Sequence, residues 1–100
     1  MLNVPGAVTY GTKPELLKST TLIPGRYRIA PVLGGSGASA VLEAWIGAVR
    51  VLTFNSEAID PAPVNQQTLV LSDIAKLDFY LMSTDEDAAA VCDGITIYQI

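Results

Sequence analysis

The sequence predicts an all-β protein: a small antiparallel β-sandwich of about seven strands, jelly-roll-like or Ig-like, with an extended N-terminal arm. Three observations carry this. From Thr20 onward the chain is a succession of short β-branched and aromatic runs separated by turn residues. Lys76 to Ser83 alternates cleanly, with Leu77, Phe79 and Leu81 opposing Lys76, Asp78, Tyr80 and Met82. At 100 residues, half of them hydrophobic, the chain is long enough for one domain with a core of its own.

Residues 1–19 are the expected arm and residues 20–100 the sandwich. Pro5, Gly6, Gly11 and Pro14 follow one another too closely for a long element. Between Lys13 and Lys18, Pro14 near a first helical position and Glu15 in a first turn suit one turn of helix. Such an arm has to lie on something, either its own core or a neighbouring subunit. Thr20 to Ile23 is a short strand ended by Pro24-Gly25, and Arg26 to Val32 is a half-buried strand with Tyr27 and Ile29 on one face and Arg26 and Arg28 on the other. Gly34-Gly35-Ser36-Gly37 then reads as a flexible break. It lacks the Lys-Ser/Thr pair of a phosphate cradle, and no basic residue follows before Arg50.

Ser39 to Phe54 is ambiguous. Val41, Leu42, Trp45, Ile46, Val49 and Leu52 have helical spacing with Ser39 as a cap, whereas Val49 to Phe54 is β-branched and strand-like. Gly47 would cost about 1 kcal/mol inside a helix but suits a turn, which favours a hairpin of Ser39–Trp45 and Ala48–Phe54. Asn55 to Gln67, with Pro61 and Pro63, is a long crossover from one sheet to the other. Thr68 to Ser72 reads as a strand buried on both faces, and Ser72 to Ala75 as a turn. Thr84 to Gly94 is an acidic loop with a short turn at Ala88 to Val91, and Ile95 to Ile100 is the last strand.

The inward faces of these strands take Tyr27, Ile29, Leu69, Leu71, Leu77, Phe79, Leu81, Ile95 and Ile97. Apolar residues are left over: Leu52, Phe54, Val70, Tyr80, Met82, Tyr98 and Ile100 fall outward, where a free sandwich carries Lys, Glu and Thr. Charged residues are only 16% of the chain, against about 25% in an average soluble domain. Together these point to a surface partly taken up by protein contacts. The expected interface is Leu16 and Leu17 of the arm, Trp45 as an anchor, and Phe54, Tyr80, Met82, Tyr98 and Ile100.

The composition excludes much chemistry. With no His there is no Ser-His-Asp or Cys-His nucleophile and no His-ligated zinc. Cys92 cannot form an internal disulfide and has no nearby cation to activate it, so it reads as a small buried hydrophobe. Six Lys and Arg in a chain of net charge −4 give no footprint for nucleic acid, and no apolar run is long enough for a membrane-spanning helix or a secretory signal. From Asp73 onward, six acids face Lys76 alone, a net −5, while residues 1–72 carry five bases and four acids, a net +1. This acidic segment is either solvated or docks on a basic neighbour. Asp85, Glu86, Asp87 and Asp93 lack the alternate ligands, Gly and closing Glu of an EF-hand loop, so no metal and no cofactor are expected. Glu43, Glu57 and Asp78 are the carboxylates that a glycosidase-type pair would need, and no catalytic residue is assigned. Trp45, Tyr10, Tyr27, Tyr80 and Tyr98 support an alternative, a small carbohydrate-binding or other ligand-binding sandwich that presents flat rings.

The Gly- and Pro-rich N-terminal segment, the opening strand Pro24-Gly25-Arg26-Tyr27-Arg28-Ile29, the strand Leu77-Asp78-Phe79-Tyr80-Leu81-Met82 and the ending Gly94-Ile95-Thr96-Ile97-Tyr98-Gln99-Ile100 resemble the small β-sandwich accessory proteins of tailed-bacteriophage particles, such as capsid decoration or head-fibre base proteins. The resemblance implies a non-enzymatic virion subunit, made in the host cytoplasm. Such a subunit is a homo-oligomer or binds the major capsid protein or other virion subunits through its arm. It transfers no functional residue.

Overall fold

The computed structural model describes residues 2–36, 40–55 and 66–100. These residues contain no helix; their strands form two antiparallel sheets packed together. The first sheet has β1 (Leu2–Val4) and β2 (Ala7–Tyr10) one after the other along β9 (Ala89–Gln99), then β4 (Gly25–Ser36) and β7 (Gln67–Leu71). The second runs β3 (Glu15–Leu22), β8 (Ala75–Ser83), β5 (Ala40–Ile46), β6 (Val49–Asn55).

The ambiguous segment is the expected hairpin. Ile46 pairs with Val49 across a two-residue turn, and Gly47 takes φ +60° while Ala48 does not enter the positive region. A glycine at the first turn position alone is the requirement of a type II′ turn, whose twist matches that of the flanking strands. The long connection after β6 joins one sheet to the other, as expected; its residues 56–65, with Glu57, Pro61 and Pro63, lie outside the described residues, as do Gly37 and Ser39.

The N-terminal segment differs from the expected arm. β1 and β2 pair with β9 from Leu2–Ile97 to Tyr10–Ala89, and β3 pairs with β8 from Glu15–Leu81 to Leu22–Ala75. The expected boundary at residue 19 therefore falls inside β3, and the helical turn at 13–18 is replaced by strand. Local propensity there is weak, and two ready-made edges, β9 and β8, supply the ladder bonds that a short isolated turn would lack. The turn signals themselves are used. Pro5-Gly6 separates β1 from β2, and Gly11, at φ +84°, carries the chain from one sheet to the other. At that corner the Gly11 N–H donates to Ala88 O (3.1 Å) and the Ser83 N–H donates to Gly11 O (2.9 Å). The β2–β3 and β8–β9 crossings are thus tied together.

Two other expectations are corrected for the same reason. Gly34-Gly35-Ser36 is no break: it continues β4, paired with Val91, Ala90 and Ala89. The acidic loop is shorter than expected, since β9 begins at Ala89 rather than Ile95. Alanines and glycines have little strand preference of their own, but β9 is bracketed by β1 and β2 on one side and β4 on the other, and that pairing overrides propensity. Asp93-Gly94 forms a bulge: Pro31 and Leu33 of β4 are two residues apart, while their partners Ile95 and Cys92 are three apart, and Gly94 has φ +135°. Gly6 rests against this bulge so closely that a Cβ there would overlap the Cys92 carbonyl oxygen and lie 2.9 Å from the Asp93 carbonyl carbon.

The core lies between the sheets. Every residue expected to face inward is buried, with Ile29, Leu77, Phe79 and Leu81 fully so. Leu52 and Phe54 were expected to face outward and are core residues instead, Phe54 at 1% exposure. A bulge reverses them. Ala44–Leu52 and Trp45–Arg50 are successive pairs, so β6 carries one extra residue, Val51, between the outward Arg50 and the inward Leu52. β7 also differs: it is an edge strand with Leu69 and Leu71 buried and Val70 exposed, not a strand covered on both faces.

One buried polar atom stands out. Thr9 is 3% exposed on β2, and its Oγ1 has no hydrogen-bond partner among the described residues. A buried unpaired hydroxyl costs roughly 1–3 kcal/mol. Thr9→Val is therefore expected to raise the unfolding free energy by about 1 kcal/mol, read by chemical denaturation, and no gain would mean that the hydroxyl is satisfied in solution.

Candidate binding surface

The expected interface residues do not form one surface. Phe54 is in the core, and Leu17, the extra residue of a bulge on β3, turns partly inward and packs against it. Leu16, Tyr80, Met82 and Trp45 share the outer face of the second sheet, whereas Tyr98 is exposed on the outer face of the first. Ile100, past the end of β9, donates its N–H to Arg26 O (2.8 Å) and leaves its side chain exposed.

The outer face of the second sheet is built in rows. Leu16 on β3, Tyr80 on β8, Glu43 on β5 and Thr53 on β6 form one row; Ser19, Asp78, Trp45 and Arg50 form the next. Alternation along β5 sends Ala40, Leu42 and Ala44 inward and Glu43 and Trp45 outward. The Val51 bulge sets Arg50 beside Trp45. Two polar contacts join the rows on this side: Trp45 Nε1–H donates to Glu43 Oε1 (3.1 Å), and Arg50 donates to Glu43 Oε2 (3.0 Å). The Glu43 side chain is 14% exposed and that of Arg50 is 54% exposed.

Above these groups lies a cleft of about 240 Å³ lined by Pro14, Glu43, Trp45, Gly47 and Tyr80. A wider depression of about 350 Å³ lies on the first sheet over the Asp93-Gly94 bulge, bordered by Asn3, Pro5, Val32 and Thr96. The smaller cleft is the chemically richer one, because it alone combines aromatic rings with a held carboxylate.

Glu43 and Asp78, two of the three carboxylates singled out in the sequence, lie on adjacent strands of this face, diagonal across the β5–β8 ladder. Their partners differ. Asp78 accepts from the Ser19 hydroxyl and lies 3.9 Å from Lys76 Nζ, while Glu43 is held by Trp45 and Arg50. Each carboxylate is thus committed to its own cation. In the acidic turn, Asp85 Oδ1 accepts from the Asp87 N–H (2.9 Å) and Glu86 Oε1 accepts from the Thr12 hydroxyl (3.0 Å). Asp93 stands apart on β9, and among the described residues no three acidic or Cys side chains converge as metal ligands.

Cys92 is buried, at 1% exposure, and its Sγ lies 3.6 Å from Gly94 O. Burial pushes its thiol above the ordinary value and the Asp93 charge adds to this, against a smaller lowering by the hydrogen bond at Gly94. It is a packing residue of the core, as its sequence setting suggests. The sequence marks Trp45 and Tyr80 together and Glu43 apart from them; Arg50 and Pro14 carry no binding signal of their own, because what brings them in is a bulge and a cross-strand register. No family model, curated protein or solved structure matches the chain.

Proposed function

We propose that this chain is a non-enzymatic structural assembly protein, a capsid-associated virion subunit of the decoration or stabilising kind, that acts through protein–protein contacts as a homo-oligomer or on a major capsid protein. The observation that carries this reading is an apolar end of the sandwich. Ile23, Ile74 and Ile100 are 59%, 65% and 52% exposed. They lie at the same end of the fold: Ile23 and Ile74 each lie one residue past the Leu22–Ala75 pair, and Ile100 is bonded to Arg26 at the start of β4. Three exposed isoleucines at one end of a small domain support a contact surface there. Val70 and Tyr98 are exposed on the adjoining outer face of the first sheet, each beside an exposed arginine, Arg26 and Arg28 respectively.

The winding of the strands supports the same reading. The order β1/β2-β9-β4-β7 over β3-β8-β5-β6 arises if one long antiparallel ribbon is folded across two sheets, which is the winding of a jelly roll. Viral capsid domains use that architecture, and so do lectins and cupins, so the fold alone does not choose among them. The apolar end favours assembly. An enzymatic role has less support, since the sequence holds no His and the two facing carboxylates are separately engaged.

The test is the double variant Ile23→Lys/Ile74→Lys. Both side chains are exposed, so the unfolding free energy is expected to stay within about 0.5 kcal/mol of the parent. Association, measured by sedimentation of the protein alone and by co-sedimentation with virus particles, is expected to be lost. Undiminished association in the folded variant would place the contact surface elsewhere and remove this argument.

A further inference from the structure

We infer that the cleft between Trp45 and Tyr80 binds a single neutral sugar ring, a pyranose held by stacking and by the Glu43 carboxylate. This goes beyond the assembly role and uses a different surface, the outer face of the second sheet rather than the isoleucine end.

The geometry supplies both halves of sugar recognition. A pyranose presents a flat C–H face, which suits the apolar surface of Trp and Tyr rings, and a rim of hydroxyls, each able to donate and accept. Trp45 and Tyr80 line the cleft from adjacent strands, and Pro14 adds a third rigid, apolar wall. Glu43 lies between them in register, directly opposite Tyr80. Among the described residues each of its two oxygens accepts from one donor, the Trp45 Nε1–H on Oε1 and Arg50 on Oε2, and each carboxylate oxygen has capacity for two. One acceptor site per oxygen is thus left for a sugar hydroxyl, and the half-exposed guanidinium keeps N–H groups to donate back.

The same contacts fix the carboxylate before any ligand arrives, so little ordering is required on binding. They also fix the charge preference. Glu43 and Arg50 neutralise one another at 3.0 Å, so the cleft selects neither anions nor cations. Its volume, about 240 Å³, is room enough for one sugar ring. A proline-rich peptide also stacks on aromatic rings, but it requires an extended groove, and its pyrrolidines would cover the Glu43–Arg50 pair without replacing the water bonds they displace.

Trp45 is the sole tryptophan, so its emission reports on the cleft directly. The experiment titrates the full chain with a panel of neutral sugars (glucose, galactose, mannose, fucose, N-acetylglucosamine and N-acetylgalactosamine) and, separately, with decaproline. It reads Trp45 fluorescence and two-dimensional amide NMR shifts. At least one sugar is expected to give saturable shifts confined to β5, β6, β8 and the Pro14 segment. Glu43→Gln is expected to weaken that binding roughly tenfold, and Tyr80→Ala to abolish it, with the native amide spectrum otherwise retained. No response to any sugar would overturn the proposal, as would binding of decaproline alone. Sugar binding undiminished in both variants would equally overturn it, and the wild-type shift map decides the matter if either variant fails to fold.

Discussion

Phe54→Ala is expected to destabilise the protein by about 3–5 kcal/mol, a large share of the 5–15 kcal/mol that separates folded from unfolded states in small domains. The outward position that simple alternation assigns to Phe54 would predict an effect of about 0.5 kcal/mol or less. The difference rests on one residue of register. Because Val51 is the extra residue on β6, Leu52 and Phe54 turn inward and pack in the cluster that also holds Leu42, Phe79 and Leu81. Truncating a ring at 1% exposure loses its transfer free energy and leaves a cavity between two sheets that cannot close without shifting both. Chemical denaturation measures it. A cost of about 0.5 kcal/mol or less would mean that the bulge is absent and that Phe54 points away from the core.

Removal of residues 1–18 is expected to abolish cooperative folding. The deletion takes β1, β2 and the first half of β3, and with them Val4, a buried core residue, and Leu17, which packs against the core. It strips the outer edge of β9 from Ala89 to Ile97 and part of the edge of β8. It also removes Gly11, whose backbone bonds to Ser83 and Ala88 close the corner between the sheets. One long strand edge, that of β9, and a short stretch of β8 would be left unpaired, a condition that favours aggregation as well as unfolding. The shortened chain should therefore show no sigmoidal thermal transition in circular dichroism. A truncated chain that melts cooperatively within about 1 kcal/mol of the parent, yet no longer associates, would restore residues 1–18 to the role of an external arm.

These two cases show which features were legible in the sequence. Strand β8 was, because Leu77, Phe79 and Leu81 alternate without interruption and face a continuous core. The β5–β6 hairpin was too, because Gly47 meets a backbone requirement stated locally, a positive φ in a two-residue turn. What escaped were features set by neighbours distant in sequence. The bulges at Leu17, Val51 and Asp93-Gly94 are decided by how two strands fit a shared partner, and each reverses the faces that alternation predicts beyond it. Gly34-Gly35-Ser36 and Ala89-Ala90 have no preference that marks them as strand, yet they pair with one another because β9 is bracketed there by β2 on one side and β4 on the other. For the binding surface, the ring positions were visible while their arrangement was not. Trp45 and Tyr80 were noted together as rings and interface residues and Glu43 as a carboxylate, and Tyr80 meets the other two only through the β5–β8 register.

That apolar supply exceeds what the inner faces use is borne out in a changed form. Leu52 and Phe54 leave the surface, while Ile23, Ile74 and Val32 join it. The proposed role thus depends on whether this exposed surface is covered by protein in solution. Static light scattering of the purified chain at micromolar concentration, with a parallel binding assay on virus particles, measures this most directly. The account predicts a discrete oligomer, or a monomer that binds particles saturably; a clean monomer that binds no particle would contradict it.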